Sequence, residues 1–321
     1  MNHLREMFSE NGKQALDVIR ARFKNVRNKV IFTSKEYYNP DLIDVEVYKS
    51  CPASCKPWQQ CKCLAVKMQI VRKGSEDKLA IKAHSFITHH LEYSQAAIHF
   101  NKYVGYASVK NEHFLAMEFD ESFYPEAPDL STALKLGILT EYDFKVINFQ
   151  LIKALIVLQK RIVGACHNDL HLQNIILVRN HAPPHACRAI SISGQHFNCG
   201  VHPFLVRCID FELFTDLLNR VSTKKGLYFF EPLKGNSIFD FCRFASQAVL
   251  EIPKSWKSWK NFAKRWLPPE FLEGKPNKLV SKNALIPTLE GAKVLNQMYG
   301  WGKKSALLQM LDDPYFEEFE A

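Results

Sequence analysis

The sequence contains no apolar run long enough to cross a bilayer: its densest stretch, "ALIVLQ", is short and follows Lys153. Its opening residues, "MNHLREMFSENGKQ", hold no apolar core of the kind a secretion signal needs, so export is not expected. No segment repeats and none is of low complexity, which argues against solenoid and linker architectures. Nine cysteines, an odd number without an export signal, point to reduced thiols in the cytoplasm or nucleus. Paired C-x-x-C spacing is also missing. Cys51, Cys55, Cys61 and Cys63 lie close together, and His181, His185, Cys187, His196, Cys199 and His202 gather further on. Without that spacing, a structural Zn²⁺ site is the less favoured expectation and buried or free thiols the default.

What is present fits a soluble globular chain: 321 residues, 47% apolar and 23% charged. That length favours two lobes or one large domain. The net charge of +9 suits acidic partners such as nucleotides or acidic protein segments. Much of the excess lies in "RARFKNVRNK" and "KSWKSWKNFAKRW". In the second segment Trp256, Trp259, Ala263 and Trp266 recur at helical spacing, which predicts a core-facing helix with a solvated basic face. A nucleic-acid partner is not required by this pattern.

Along the chain, residues 1–30 read as a helical extension, with Leu16, Ile19 and Phe23 on one face. Residues 31–119 read mainly as strand. "CLAVKMQIV" and "KLAIKAH", flanking the turn-rich "RKGSED", predict a hairpin; a helix is expected near "LEYSQAAIHFNKYV" and another strand at "HFLAMEF". Residues 120–321 read as mainly helical. "YPEAPDLSTALKLG" is a loop entering a short helix, and Phe144, Ile147, Leu151, Leu155 and Leu158 predict an amphipathic helix over 141–161. Strands "NIILV" and "FLVRCIDF" bracket an irregular insertion at 179–203. The expected class is α+β with two lobes, the first rich in strand.

The stretch "GACHNDLHLQNIILV" crowds polar residues directly before a buried strand, which is costly unless a network or a task holds them there. Phosphoryl transfer needs a residue to orient the nucleophile, ligands for a divalent cation and a cation on the phosphates. Asp169 lies in that loop, Asn174 at the mouth of the next strand, and Asp210 at the end of the strand after it. A hairpin of those two strands would bring Asn174 and Asp210 beneath one cation. Lys82, in "KLAIKAH", is the candidate for the phosphates.

"HNDLHLQNIIL" together with "IDFE" resembles the protein-kinase-like superfamily, in its H-x-D-x-x-x-x-N catalytic loop and its D-F-G position. "LAIK" looks like the strand motif V-A-I-K, "AMEFDE" like the hinge that includes Glu118, "IFDFCRFA" like the Asp-bearing helix of the large lobe, and "LLQMLDDPYFEEF" like the closing helix. The resemblance implies a bilobal kinase-like fold that uses ATP and Mg²⁺, with Mn²⁺ as a substitute. It implies Asp169 as catalytic base, Asn174 and Asp210 as metal ligands, Lys82 as the phosphate lysine and Glu92 as its ion-pair partner. His171 stands where protein kinases usually carry a lysine and would join Asp169 at the γ-phosphate. This "DLH" form is similar to haspin-like kinases and, most of all, to serine/threonine kinases of large DNA viruses.

Departures from the family are visible. "KSCPASCKPWQQC" stands where a glycine-rich loop would lie, and Glu212 replaces the D-F-G glycine. Asn168 replaces the arginine before the catalytic aspartate, and no A-P-E follows, so activity without activation-loop phosphorylation is expected. The expected function is an ATP-dependent serine/threonine protein kinase acting on a protein substrate of acidic character. Its alternatives are a small-molecule kinase of the aminoglycoside or choline type and a nucleotide-binding pseudokinase scaffold. The resemblance implies host cytoplasm or virion as the setting, with the nucleus as an alternative.

Overall fold

The computed structural model describes residues 13–14, 24–26, 42–50, 64–72, 77–92, 94, 97–109, 112–118, 123–124, 126–127, 129–180, 190–192, 194–197, 202–211, 213–216, 238–281, 288–299 and 305–319. They form mixed helix and strand, an α+β composition. The chain divides into two compact units, Met1–His89 with Asn101–Asp120, and His90–Phe100 with Glu121–Ala321.

The first unit is built on an antiparallel sheet of β1 (Lys24–Val26), β2 (Leu42–Ser50), β3 (Leu64–Arg72), β4 (Tyr103–Val109) and β5 (Glu112–Glu118), in the order β1-β2-β3-β5-β4. Strand β3 is central, with Lys67 opposite Val47 on one side and Met117 on the other. Its β-branched and apolar run suits a strand paired on both edges. Helix α1 (Asp77–Leu91) follows directly and buries Ala83, Ile87 and Leu91 at steps of four. Thr88 Oγ1 accepts the Tyr103 backbone N–H at 2.8 Å, tying α1 to the start of β4.

Several expectations fail in this unit. "KLAIKAH" lies within α1, so the hairpin with "CLAVKMQIV" does not form and β3 pairs with β2 and β5 instead. Seven residues alone are ambiguous, whereas Ala83, Ile87 and Leu91 over the full segment follow the helical period. The helix expected near 91–104 is instead a short 3₁₀ turn, Ala97–His99, followed by β4. Lys24–Val26, expected in a helical extension, pairs antiparallel with β2; Leu16, Ile19 and Phe23 lie outside the described residues.

The second unit is organised around α3 (Glu141–Arg161), which follows the shorter α2 (Leu130–Lys135). Helix α3 begins with a reciprocal cap: Asp143 N–H donates to Thr140 Oγ1 at 3.1 Å while Thr140 N–H donates to the Asp143 carboxylate at 2.8 Å. Phe144, Ile147, Leu151, Leu155 and Leu158 are all buried. So are Asn148, Gln150 and Lys153, because α3 is surrounded on most sides. Trp259 Nε1 donates to Asn148 Oδ1 at 3.0 Å, and Gln150 Oε1 accepts the Val206 N–H at 2.8 Å.

After α3 come β6 (Ile175–Arg179), a small hairpin of β7 (Ile190–Ile192) and β8 (Gln195–Phe197), and β9 (Phe204–Cys208). β6 and β9 pair antiparallel from Ile175↔Cys208 to Arg179↔Phe204. The 3₁₀ turn at Ala97–His99 docks on β9, where buried His99 donates from Nδ1 to the Val206 carbonyl at 2.8 Å. Helices α4 (Phe239–Glu251), α5 (Lys257–Trp266), α6 (Leu289–Tyr299) and α7 (Ala306–Leu311) complete the unit. An aromatic cluster of Phe144, Phe244, Trp256 and Trp259 joins α3, α4 and α5. The closing 3₁₀ segment, Pro314–Phe319, seats Phe316 and Phe319 against Phe149. Among the described residues, no helix is long and apolar enough to cross a membrane.

Candidate functional site

The polar loop between α3 and β6 is held from two sides. On one side is α4. Asp240, fully buried in its first turn, accepts the His167 backbone N–H on Oδ2 and the Asn168 N–H on Oδ1, each at 2.8 Å. One turn on, the buried Arg243 donates from Nη2 to Asp169 Oδ1 at 3.3 Å. A further turn on, Gln247 Oε1 accepts the Leu172 N–H at 3.3 Å. Positions i, i+3 and i+7 share one helix face, so a single polar stripe on α4 grips the loop.

On the other side is the segment after β9. His167 donates from Nε2 to the Ile209 carbonyl at 2.8 Å, which leaves Nδ1 to accept the Asp169 N–H at 3.4 Å. Asn168 donates to the Leu213 carbonyl and to Thr215 Oγ1 at 2.7 and 2.8 Å. Cys166 and Thr215 exchange backbone hydrogen bonds at 2.9 and 3.0 Å. Asn168 adopts φ 66°, a left-handed conformation that asparagine tolerates better than most residues. Asparagine at this position therefore has a local reason.

Asp169 is where these restraints meet. Burial pushes its carboxyl up, but the neighbouring His171 and the charge of Arg243 outweigh burial and hold it below the usual carboxylate range. His171 accepts the Gln173 N–H on Nδ1 at 3.2 Å, so its Nε2, 3.6 Å from Asp169 Oδ2, is the protonated nitrogen. Asp240 behaves oppositely: burial raises its carboxyl, and the two backbone N–H donors, from His167 and Asn168, pull against that without overcoming it.

Asn174 closes the loop by donating from Nδ2 to the Asp169 carbonyl at 2.9 Å. Its own carbonyl accepts the Ile209 N–H at 3.0 Å, which extends the β6–β9 ladder by one step. Asp210 is the next residue, exposed and at φ 66°. Asn174 and Asp210 therefore stand at the same end of one two-stranded ladder, with Asp169 tied to the first. A carboxylate and an amide oxygen are hard donors, the set that Mg²⁺ takes when phosphate and water fill its remaining positions. With Nδ2 committed to the loop, Oδ1 is the acceptor that Asn174 retains. The donor chemistry fits.

The structure does not bring Lys82 into this picture. V-A-I-K requires a strand, and Lys82 is exposed in the middle of α1. Glu92, expected as its partner, follows the same helix ten residues later, about 15 Å along the axis, so the two cannot form the expected pair. Glu118 ends β5, where its N–H donates to the Lys102 carbonyl at 2.8 Å and its carboxylate lies 3.8 Å from Lys102 Nζ. Sequence reasoning passed over a second lysine of the same motif shape. "LAVK", Leu64–Lys67, has the same motif shape as "LAIK", lies on β3, and precedes a helix. It also passed over Asp240, Arg243 and Gln247; their signal is a polar stripe at helical spacing in an otherwise apolar segment.

Of the cysteine and histidine groups considered for zinc, Cys51, Cys55, Cys61, Cys63, His181, His185, Cys187 and Cys199 lie outside the described residues. Among the described residues, no three His, Cys, Asp or Glu side chains gather as a metal site. Comparison with protein-family models and with curated sequences gave no match for this chain.

Proposed function

We propose that the chain is an ATP-dependent phosphotransferase of bilobal kinase-like fold, acting on serine or threonine hydroxyls of a protein. The observation that carries this reading is the β6–β9 ladder, at one end of which Asn174 pairs with Ile209, the residue before Asp210, while Asn174 is bonded to the Asp169 loop. Asp169 orients the hydroxyl and takes its proton. A carboxylate held low is a weak base, so its role is positioning followed by late proton acceptance, which suits a loose phosphoryl-transfer transition state. His171 supplies a protonated nitrogen beside that carboxylate. Asn174 and Asp210 would hold Mg²⁺, which when bound neutralises charge on the phosphate oxygens. Lys67, rather than Lys82, is assigned to the phosphates.

The test is incubation of the purified chain with γ-labelled ATP, Mg²⁺ and a generic protein substrate. Label on serine or threonine, lost in Asp169→Asn without a fall in melting temperature, is the expected result. Label confined to small alcohols would replace the protein acceptor with a small-molecule one. Nucleotide binding without any transfer would overturn the enzymatic reading.

A further inference from the structure

Helix α5 breaks two local rules. The stretch from Pro253 to Leu267 carries five cations and no acidic residue. Lys257 occupies the helix N-terminus, where the backbone dipole disfavours positive charge, and the Glu141 carboxylate, which accepts the Ser258 and Trp259 N–H groups there at 3.2 and 3.4 Å, is supplied from α3. Lys257, Lys260 and Lys264 follow at steps of three and four, the spacings at which like charges repel and glutamate usually alternates with lysine. Packing does not require this, because the helix is anchored by its opposite face, through buried Trp259, Phe262 and Ala263. Arg265 is bound to Asp313. Lys254, Lys257, Lys260 and Lys264 make no ion pair among the described residues, and the Lys260 ammonium donates to the Lys254 backbone carbonyl at 3.5 Å. Local rules broken without structural gain are expected where a surface serves a partner.

We infer that the lysine ridge of Lys254, Lys257, Lys260 and Lys264 docks an acidic segment of a protein. The inference deepens the protein-kinase reading and rests on it for the identity of that protein as a substrate. Several features select this partner. Of the segment's aromatic residues Trp256, Trp259 and Phe262 are buried, and the half-buried Trp266 is tied through Nε1 to Asp313 at 2.9 Å, so no ring stands free on the ridge for stacking on nucleic-acid bases. The apolar face lies in the core, so none is left to enter a lipid surface. Every ridge cation is a lysine, a point charge without the fork that reads phosphate or base edges. From Lys257 to Lys264 the ridge runs about 10 Å, matched by roughly three extended residues of an acidic peptide. α4 runs from Asp240 at the catalytic loop to Glu251, just before this segment, so the ridge is placed one helix length along the chain from Asp169.

The experiment is fluorescence anisotropy of the full chain with a labelled Asp/Glu-rich dodecapeptide, beside a Lys257→Gln/Lys260→Gln variant, which adds no carboxylate next to Glu141, and with duplex DNA or phosphatidylserine vesicles as competitors. Expected are salt-sensitive peptide binding, an affinity loss of about tenfold or more in the variant, and a melting temperature equal to or above the original, since both changes relieve the repulsion. Absence of peptide binding, equal binding by the variant, or displacement by DNA or vesicles at lower charge concentration would overturn the inference. Phosphate transfer by the unaltered chain is scored separately. Its absence ends the protein-kinase reading, while the anisotropy result still decides the ridge.

Discussion

Asp240 shows how much a single side chain can organise. Its two oxygens each accept a different backbone N–H of the loop, so asparagine, which presents a donor at one of those positions, would face one N–H with another. Asp240→Asn should therefore cost about 1–3 kcal/mol of stability, read as a lower denaturant midpoint, although the two side chains are isosteric. The same scale separates the two lysines. Lys67→Met should lower phosphate transfer by about a hundredfold or more, whereas Lys82→Met should leave it within about twofold, since its ammonium is exposed on α1. Equal effects of the two substitutions would contradict the assignment. The candidate loop itself was legible from its residues, since Asp169, Asn174 and Asp210 stand in a polar cluster and at strand ends. The grip on it was not. Asp240 and Asp169 are separated by about seventy positions, and nothing in local spacing says which helix a loop will meet.

At the scale of elements, length decided what could be read. Helix α3 and strands β6 and β9 were legible because an apolar period maintained over α3 and two β-branched runs leave little ambiguity. α1 was misread from a short window, and with it Lys82. The 3₁₀ turn at Ala97–His99 was also missed, since it is fixed by docking on β9 rather than by its own sequence. That docking has a pH signature. Burial first, then the charges of Lys153 and Arg207, depress His99 to about 3, against the opposing hydrogen bond to Val206. The unfolded chain takes up this proton below about pH 6.5 while the native chain does not, so the contribution of His99 is complete above that pH and declines as pH falls towards 3. Between pH 7 and pH 5 the chain should lose about 2 kcal/mol through this residue, above the range where Asp169 adds its own acid-side loss. In His99→Gln that part of the slope should disappear from urea titrations. The cap of α3 offers a control outside the His99 contact: Thr140→Ala should cost about 1 kcal/mol at both pH values.

For the whole molecule, we propose that two strands paired in one ladder deliver two oxygen ligands to a single cation beside a loop held by α4. Ligands of one ion are coupled, so their losses should not add. Mn²⁺ binding in the presence of a non-hydrolysable ATP analogue, followed by electron paramagnetic resonance in Asn174→Ala, Asp210→Ala and the double variant, measures that coupling. Each single change should weaken Mn²⁺ binding by about tenfold or more, and the double variant should be little weaker than the worse single one. Losses that multiply, or Mn²⁺ binding unchanged by either substitution, would contradict the shared site.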